Sequence, residues 1–498
     1  MIRGLNNNQV SLDTVGHNIT NAGSTGYSRQ SVNSAATRSQ DVSTIYGNAQ
    51  VGTGVDVVSI TRARDVYADK QFWAESSNQG YSSARQTNYD KVEAIYDDSD
   101  STGLQTKLSK FWSAWQTLGT AGGADSYTNR VSAYETGVQL GQTINSYAGE
   151  LQKQIKSEYD DLNLKVDKIN DITSGILKLN KSISSQEAIG GMANDLRDAR
   201  DNLVDELSGY VKVSVQENAN GSYSVVSNGN TLVDNNSRLE LETVANANAE
   251  YGVTDYTIQF KATKTPYDPG VGEIKGIQDS IAENKGAMSD LAKMSAFFLD
   301  TFNDQHRQGY GIDAANTTNI NFFGDSTAGA GYTWNAATST LTDNNGAVLN
   351  TIETIKALTV NSSLTTESGK NLIAARGTLA SGATEGTAGT ANAVLLSTLF
   401  SKSSGTTAVG NVSLNDYYTG LMSKLGSKSA AVDDQVTQEK NIMTTLSNNR
   451  QATSGVNWDE ELTNMIRFQK GYSASSRCLT TMDEMLDKLI NSTGVVGR

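Results

Sequence analysis

The last forty residues constrain this chain more than any other part of it. Met465, Phe468, Tyr472, Ser475, Leu479, Met482, Leu486 and Leu489 are separated by 3, 4, 3, 4, 3, 4 and 3 residues. Seven of these eight are apolar or aromatic, the pattern of an a/d coiled-coil seam. Asn457 is a good N-cap, and Glu460 is placed to reach back and complete a capping box. The predicted helix from Trp458 to Asn491 is about 51 Å long at ~1.5 Å per residue. Full burial of the seam contributes at most ~10–20 kcal/mol, whereas ordering the backbone costs roughly 34–68 kcal/mol. Intrahelical hydrogen bonds narrow that gap, but an uncovered seam adds almost nothing, so the helix needs a second surface.

The N-terminus offers one. Ile2, Leu5, Asn8, Leu12, Val15 and Ile19 recur at 3, 3, 4, 3 and 4, with Asn8 a polar interruption able to fix register. This stripe covers only about 27 Å. Either the partnership is partial or the natural chain begins further upstream, and we favour the second reading. Periodicity does not distinguish an internal two-helix hairpin from a seam shared between molecules.

Helical spacing recurs between the ends. It runs through Leu104, Leu108, Phe111, Trp115 and Leu118, then from Val131 to Ile183, through Met192–Leu207, through Ile277–Phe298, and from Ser413 onward through Leu446. Only two prolines occur in 498 residues, which suits long uninterrupted helices. At Tyr210 the period changes to two: Val211, Val213 and Val215 alternate with polar residues, and Asn220-Gly221 and Asn228-Gly229 mark turns. The fold class expected is therefore mainly α with β insertions. A long-helix terminal coiled coil and a helical-bundle body carry an antiparallel β domain inserted mid-chain. The domains expected are residues 1–30 with 456–498 (terminal coiled coil), 31–208 with 273–310 and 366–455 (helical body), 209–272 (β insertion) and 311–365 (minor β-like, turn-rich insertion). Residues 377–411 read as a mostly loose connector.

Candidate chemistry is sparse. The net charge of −14 argues against nucleic-acid binding and a polybasic membrane anchor. No apolar run approaches a membrane span, and no secretory signal opens the sequence. Asp98, Asp100 and Gly103 hint at a calcium loop, but its twelfth position is Ser109 rather than Glu, which favours a solvated turn. His17 and His306 form no HExxH, no phosphate-binding loop is present, and Cys478 beside the seam reads as a buried or half-buried inert thiol. The expectation is no enzyme, no catalytic residue, no cofactor and no metal.

Residues 18–30 contain Asn18, Ile19, Asn21, Gly26 and Tyr27 at the spacing of the flagellar rod, hook and hook-associated axial proteins (Asn-apolar-Ala-Asn-x-x-Thr-x-Gly-aromatic), with Thr20 for Ala and Ser24 for Thr. The following Ser28, Arg29 and Gln30 resemble one branch, the hook-associated protein 1 family. Three further segments are similar to that branch: Asn194–Ser208, Phe302–Tyr310, and Ser454–Glu461, where Trp458 replaces Leu. The resemblance gives His306 a structural role and is weak in 209–272 and 320–410. That family normally has residues before Ile2, which agrees with the short N-terminal stripe.

The resemblance implies a structural axial protein at the hook–filament junction, secreted through the flagellar type III apparatus to an extracellular position. Implied partners are further copies of the chain in a ring or helical array, the hook protein, hook-associated protein 3, and a cytoplasmic export chaperone at the C-terminal helix. Nucleic acid and membrane insertion are not among them. The assembly interface expected is Leu5, Leu12, Val15 and Ile19 against Met465, Phe468, Tyr472, Leu479, Met482, Leu486 and Leu489, with both ends disordered in the monomer and ordered on assembly. The alternatives are a hook-type axial protein and a secreted adhesin-like module on a helical stalk.

Overall fold

The computed structural model describes every residue except 45–46, 98–102, 326, 328–330, 380, 404, 406 and 493–498. Asp98 and Asp100, the start of the calcium-loop reading, lie outside the described residues.

The chain opens with helix α1 (Ile2–Asn21) and closes with α10 (Leu414–Ser454) and α11 (Trp458–Ser492). After α1 come four strands, β1 (Gln30–Ala36), β2 (Gln40–Thr44), β3 (Gly47–Val51) and β4 (Val55–Arg62). β1 pairs antiparallel with β4 from Gln30↔Arg62 to Ala36↔Val55, and β2 pairs with β3. This ribbon puts strands in residues 31–62, a stretch the sequence reading grouped with the helices of the body. Its two faces are mostly exposed or half-buried, so no core imposes the apolar alternation that reveals a strand in sequence.

The body is built on α2 (Val66–Ile95), α3 (Leu104–Leu118), α4 (Tyr127–Glu187), α5 (Asn194–Tyr210) and α6 (Glu273–Phe297). α4 has 61 residues, about 90 Å of unbroken helix. Its stripe of Leu140, Ile144, Leu151, Ile155, Leu162, Val166, Ile169, Ile176 and Ile183 is fully buried. Both prolines, Pro266 and Pro269, fall in the loop before α6, where no helical hydrogen bond is lost.

Five strands stand between α5 and α6: β5 (Val213–Glu217), β6 (Tyr223–Ser227), β7 (Asn230–Val233), β8 (Leu241–Asn248) and β9 (Val253–Phe260). They form two sheets, β5-β6-β7 and β8-β9. Asn220-Gly221 and Asn228-Gly229 make the turns of the first, with Asn228, Gly229 and Gly221 all at positive φ. A π-helical turn, Phe298–Phe302, joins α6 to α7 (Asn303–Arg307). Phe298 and Phe302 pack there with Phe111, Trp112 and Trp115 of α3 and with Phe322 and Phe323, ring centroids about 5–6 Å apart.

Short strands β10 (Thr333–Asn335), β11 (Thr340–Thr342) and β12 (Val348–Leu349) precede α8 (Thr351–Ala357), which Asn350 and Glu353 start with a capping box. The segment read as a loose connector contains a helix, α9 (Ala391–Thr398), whose Ala393 and Leu396 are fully buried. Its Gly/Thr/Ser-rich flanks hide it, because those residues mark turns irrespective of what they enclose.

Candidate assembly interface

α1 and α11 lie antiparallel as a two-helix rod. Gly471 marks the register, since a Cβ there would stand 2.9 Å from Asn8 Oδ1. Ten residues further along, Asn18 Nδ2 donates to Glu461 Oε2 at 3.2 Å. The polar interruption at Asn8 is thus accommodated by a partner with no side chain. Counting six residues back from Asn8 puts Ile2 level with Arg477, so α1 ends where α11 still has fifteen residues to run.

The expected interface divides at that point. Val15 is buried, and Leu5, Leu12, Ile19, Met465, Phe468 and Tyr472 are half-buried. Leu479, Met482, Leu486 and Leu489 are 38%, 48%, 55% and 62% exposed. Met485 and Ile490 add to the same uncovered stretch. Cys478 is exposed, which corrects the buried or half-buried thiol expected there. It sits one residue past Arg477, the level of Ile2. Ser11, Thr14 and Asn18 are buried on α1 although none belongs to the apolar stripe.

The family motif occupies the root of the rod. The Asn18 carboxamide bridges: Oδ1 accepts from the Gln30 amide at 2.9 Å and the Tyr27 hydroxyl at 2.7 Å, while Nδ2 donates to the Gln30 carbonyl at 2.9 Å. Asn21 Nδ2 donates to the His17 carbonyl at 3.0 Å, and His17 Nδ1 meets the Tyr27 hydroxyl at 3.0 Å. Burial, then Asp195, Asp198 and Glu461, raise the pKa of Tyr27, keeping its phenol a neutral donor to Asn18. Gly26 has φ +74° and faces Asn202 so closely that an added Cβ would overlap its Oδ1. Arg29 pairs with Glu461 at 2.8 Å and Glu460 at 3.0 Å, so Glu460 serves an ion pair rather than the expected capping box. Asn457 caps α11 through the amides of Asp459 and Glu460.

Residues absent from the sequence-derived interface complete the root. Arg62 of β4 meets Asp198 and Asp201 of α5 at 2.5 and 2.8 Å. Burial lowers the pKa of Arg62, but the two carboxylates outweigh burial and raise it. Arg64 and Arg450 converge on Asp69 at 2.7 and 2.9 Å, and Arg450 also reaches Asp205 at 2.7 Å while lying over the Phe72 ring. The sequence did carry a signal for these partners. Three of the segments that resemble the axial family, 18–30, 194–208 and 454–461, converge here in space. Only their juxtaposition was invisible.

Among the described residues no group of three or more metal-ligating side chains occurs, and no helix is long and apolar enough to cross a membrane.

Comparison with known proteins points one way. A family model described as "Flagellar hook-associated protein FlgK helical domain" matches residues 89–323, and one described as "Flagellar basal body rod FlgEFG protein C-terminal" matches 448–492. The chain is 29% identical to flagellar hook-associated protein 1 of Bacillus subtilis (strain 168), over 100% of this chain and 98% of that protein. It is 28% identical to flagellar hook-associated protein 1 of Escherichia coli (strain K12), over 98% of each. A solved structure of the flagellar hook junction protein FlgK from Burkholderia pseudomallei shares the fold with a TM-score of 0.62 and 16% identity, covering 77% of this chain and 100% of that one.

Proposed function

The chain belongs to the flagellar hook-associated protein 1 (FlgK) family, structural axial proteins of the hook–filament junction, and from that premise we propose how it works there. The exposed end of α11 carries the proposal: Leu479, Met482, Met485, Leu486 and Ile490 present large apolar side chains to solvent beyond the stretch that packs on α1. A row of large apolar side chains on a helix surface gains ~1.5–3 kcal/mol each on full burial, and water leaves that gain unrealised. Neighbouring subunits supply the cover. Copies array as a ring or helical layer with their rods innermost, the hook protein below and hook-associated protein 3 above. In the free monomer the uncovered stretch frays, and it orders when a neighbour packs on it. Before assembly the chain leaves the cell through the flagellar type III channel, and a cytoplasmic chaperone masks the same stripe.

Leu479→Asp tests the seam. Because Leu479 already meets solvent in the single chain, the variant keeps the thermal melting and circular dichroism of the parent but fails to attach filaments to hooks. Normal filament attachment and motility in cells making only this variant would remove the seam from the mechanism.

A further inference from the structure

α5 carries Asp195, Asp198, Asp201, Asn202 and Asp205 at spacings of 3, 3, 1 and 3, and side chains three or four apart share a helix face. Three chain segments join the rod and its β1–β4 ribbon to the body, and α5 holds the first of them and the ends of β4 and α10 from which the other two lead. On the segment leaving α1, Asp198 Oδ2 accepts from the Ser28 amide at 3.0 Å, Asp195 accepts from Gln30 Nε2 at 2.9 Å, and Asn202 donates to the Thr25 carbonyl at 3.4 Å. At the end of β4, Asn194 donates to the Ile60 carbonyl at 2.9 Å and Arg62 spans Asp198 and Asp201. At the C-terminal end of α10, just before the link to α11, Asp205 holds Arg450 at 2.7 Å, and the amide of Arg29, on the segment leaving α1, donates to the Ser454 carbonyl at 2.9 Å.

We infer that the acidic face of α5 is a latch that fixes the rod against the body, coupling the three joining segments so that none loosens alone. The physical ground is burial with shared partners. Arg62, Arg64, Asp69, Asp198 and Asp201 are each at most about a tenth exposed at the side chain. Within this hub Asp198 serves Ser28 and Arg62, while Asp69 serves Arg64 and Arg450. Removing one partner from such a network leaves a buried charge unpaired, a cost felt by every group that shares it. Mutual coupling between the segments follows, because a coupling free energy acts equally in both directions. The latch lies within one chain, so it does not depend on the seam assignment. Its use to a junction protein, holding the angle between channel-lining rod and outer body, rests on the function proposed above.

The test is hydrogen exchange, resolved by peptide, on the full chain in dilute solution. The variant is Asp205→Asn: among the described residues the Asp205 carboxylate hydrogen-bonds Arg450 and Trp73 and acts on Arg64 through charge alone. The latch predicts that this variant speeds exchange roughly tenfold or more, within the usual range of site-to-site coupling, in 25–30 and 60–64 as well as in 450–461. Peptides of α3 stay as slow as in the parent. Acceleration confined to 450–461, or parent segments at 25–30 that exchange as fast as an open chain, overturns the latch. Should α3 also speed up, Asn202→Ala asks the question from the opposite end. Faster exchange at 450–455 in that variant supports the coupling, and unchanged exchange there overturns it. Neither readout requires assembly, so loss of the seam and loss of the latch are separable results.

Discussion

His306 is fully buried against Trp115 and Phe322, with Nδ1 donating to the Ile320 carbonyl at 2.7 Å and Nε2 accepting from the Ala374 amide at 3.1 Å. Both ring nitrogens are used only in the neutral form. Burial, with Arg130 nearby, pushes its pKa down from 6.5 to about 4. A base whose folded pKa is depressed contributes fully above its unfolded value, so stability falls as pH drops from 6.5 to 4, by up to ~1.4 kcal/mol per unit. Glu158 works the other way. Burial raises its pKa from 4.5 to about 7, against hydrogen bonds from Gln154 and Asn284. The folded chain therefore holds a proton the unfolded chain releases, and stability falls as pH rises from 4.5 to 7. Glu158→Gln is expected to raise the urea midpoint at pH 8 and leave it unchanged at pH 4. His306→Asn is expected to flatten the acid side of the same pH profile while lowering stability at pH 7 by roughly 1–3 kcal/mol, through the lost partner of a buried amide. The sequence resemblance assigned His306 a structural role, but its tautomer comes from two carbonyl and amide groups on other segments, which no local pattern encodes.

At the scale of elements, the terminal helices were legible because their residues repeat with the period of the surface they present. α1, α4, α10 and α11 all lie where apolar spacing of three and four placed them. What local periodicity does not contain is how far two helices overlap. Gly471 shows the point: its sequence says only that a helix position lacks a side chain, whereas the fold puts Asn8 against it. Gly471→Val is expected to push the helices apart at that level and cost about 1–3 kcal/mol, as overpacking does. Faster amide exchange in Asn6–Leu12 with an unchanged body would register it. The ribbon β1–β4 and helix α9 were missed for opposite reasons. The ribbon has no buried face to impose a pattern, and α9 is short, apolar on most sides and enclosed by turn-forming residues.

Across the whole molecule, the β material between α5 and α6 shares the body's core. Val213, Val225, Leu232 and Val233 are buried in the same cluster as Leu162, Val166 and Ile176 of α4. Asn180 of α4 exchanges hydrogen bonds with the Tyr223 backbone at 2.8 and 2.9 Å, and Asn170 does so with Leu241. Deleting 209–272 is accordingly expected to bare a long stripe of α4 and destroy cooperative unfolding of the body, measured by calorimetry. An appended binding module would instead leave the melting transition in place. The sequence by itself determined the helical character of both ends, the two Asn-Gly turns and the kinship of the motif, because capping, periodicity and turn chemistry act over a few residues. Tertiary structure alone decided that Asn18 meets Glu461, that Arg62, Arg64 and Arg450 share one set of aspartates, and that Asn8 faces Gly471. These depend on groups hundreds of residues apart competing for the same buried space, and the winner of that competition is fixed by packing and charge rather than by neighbours along the chain.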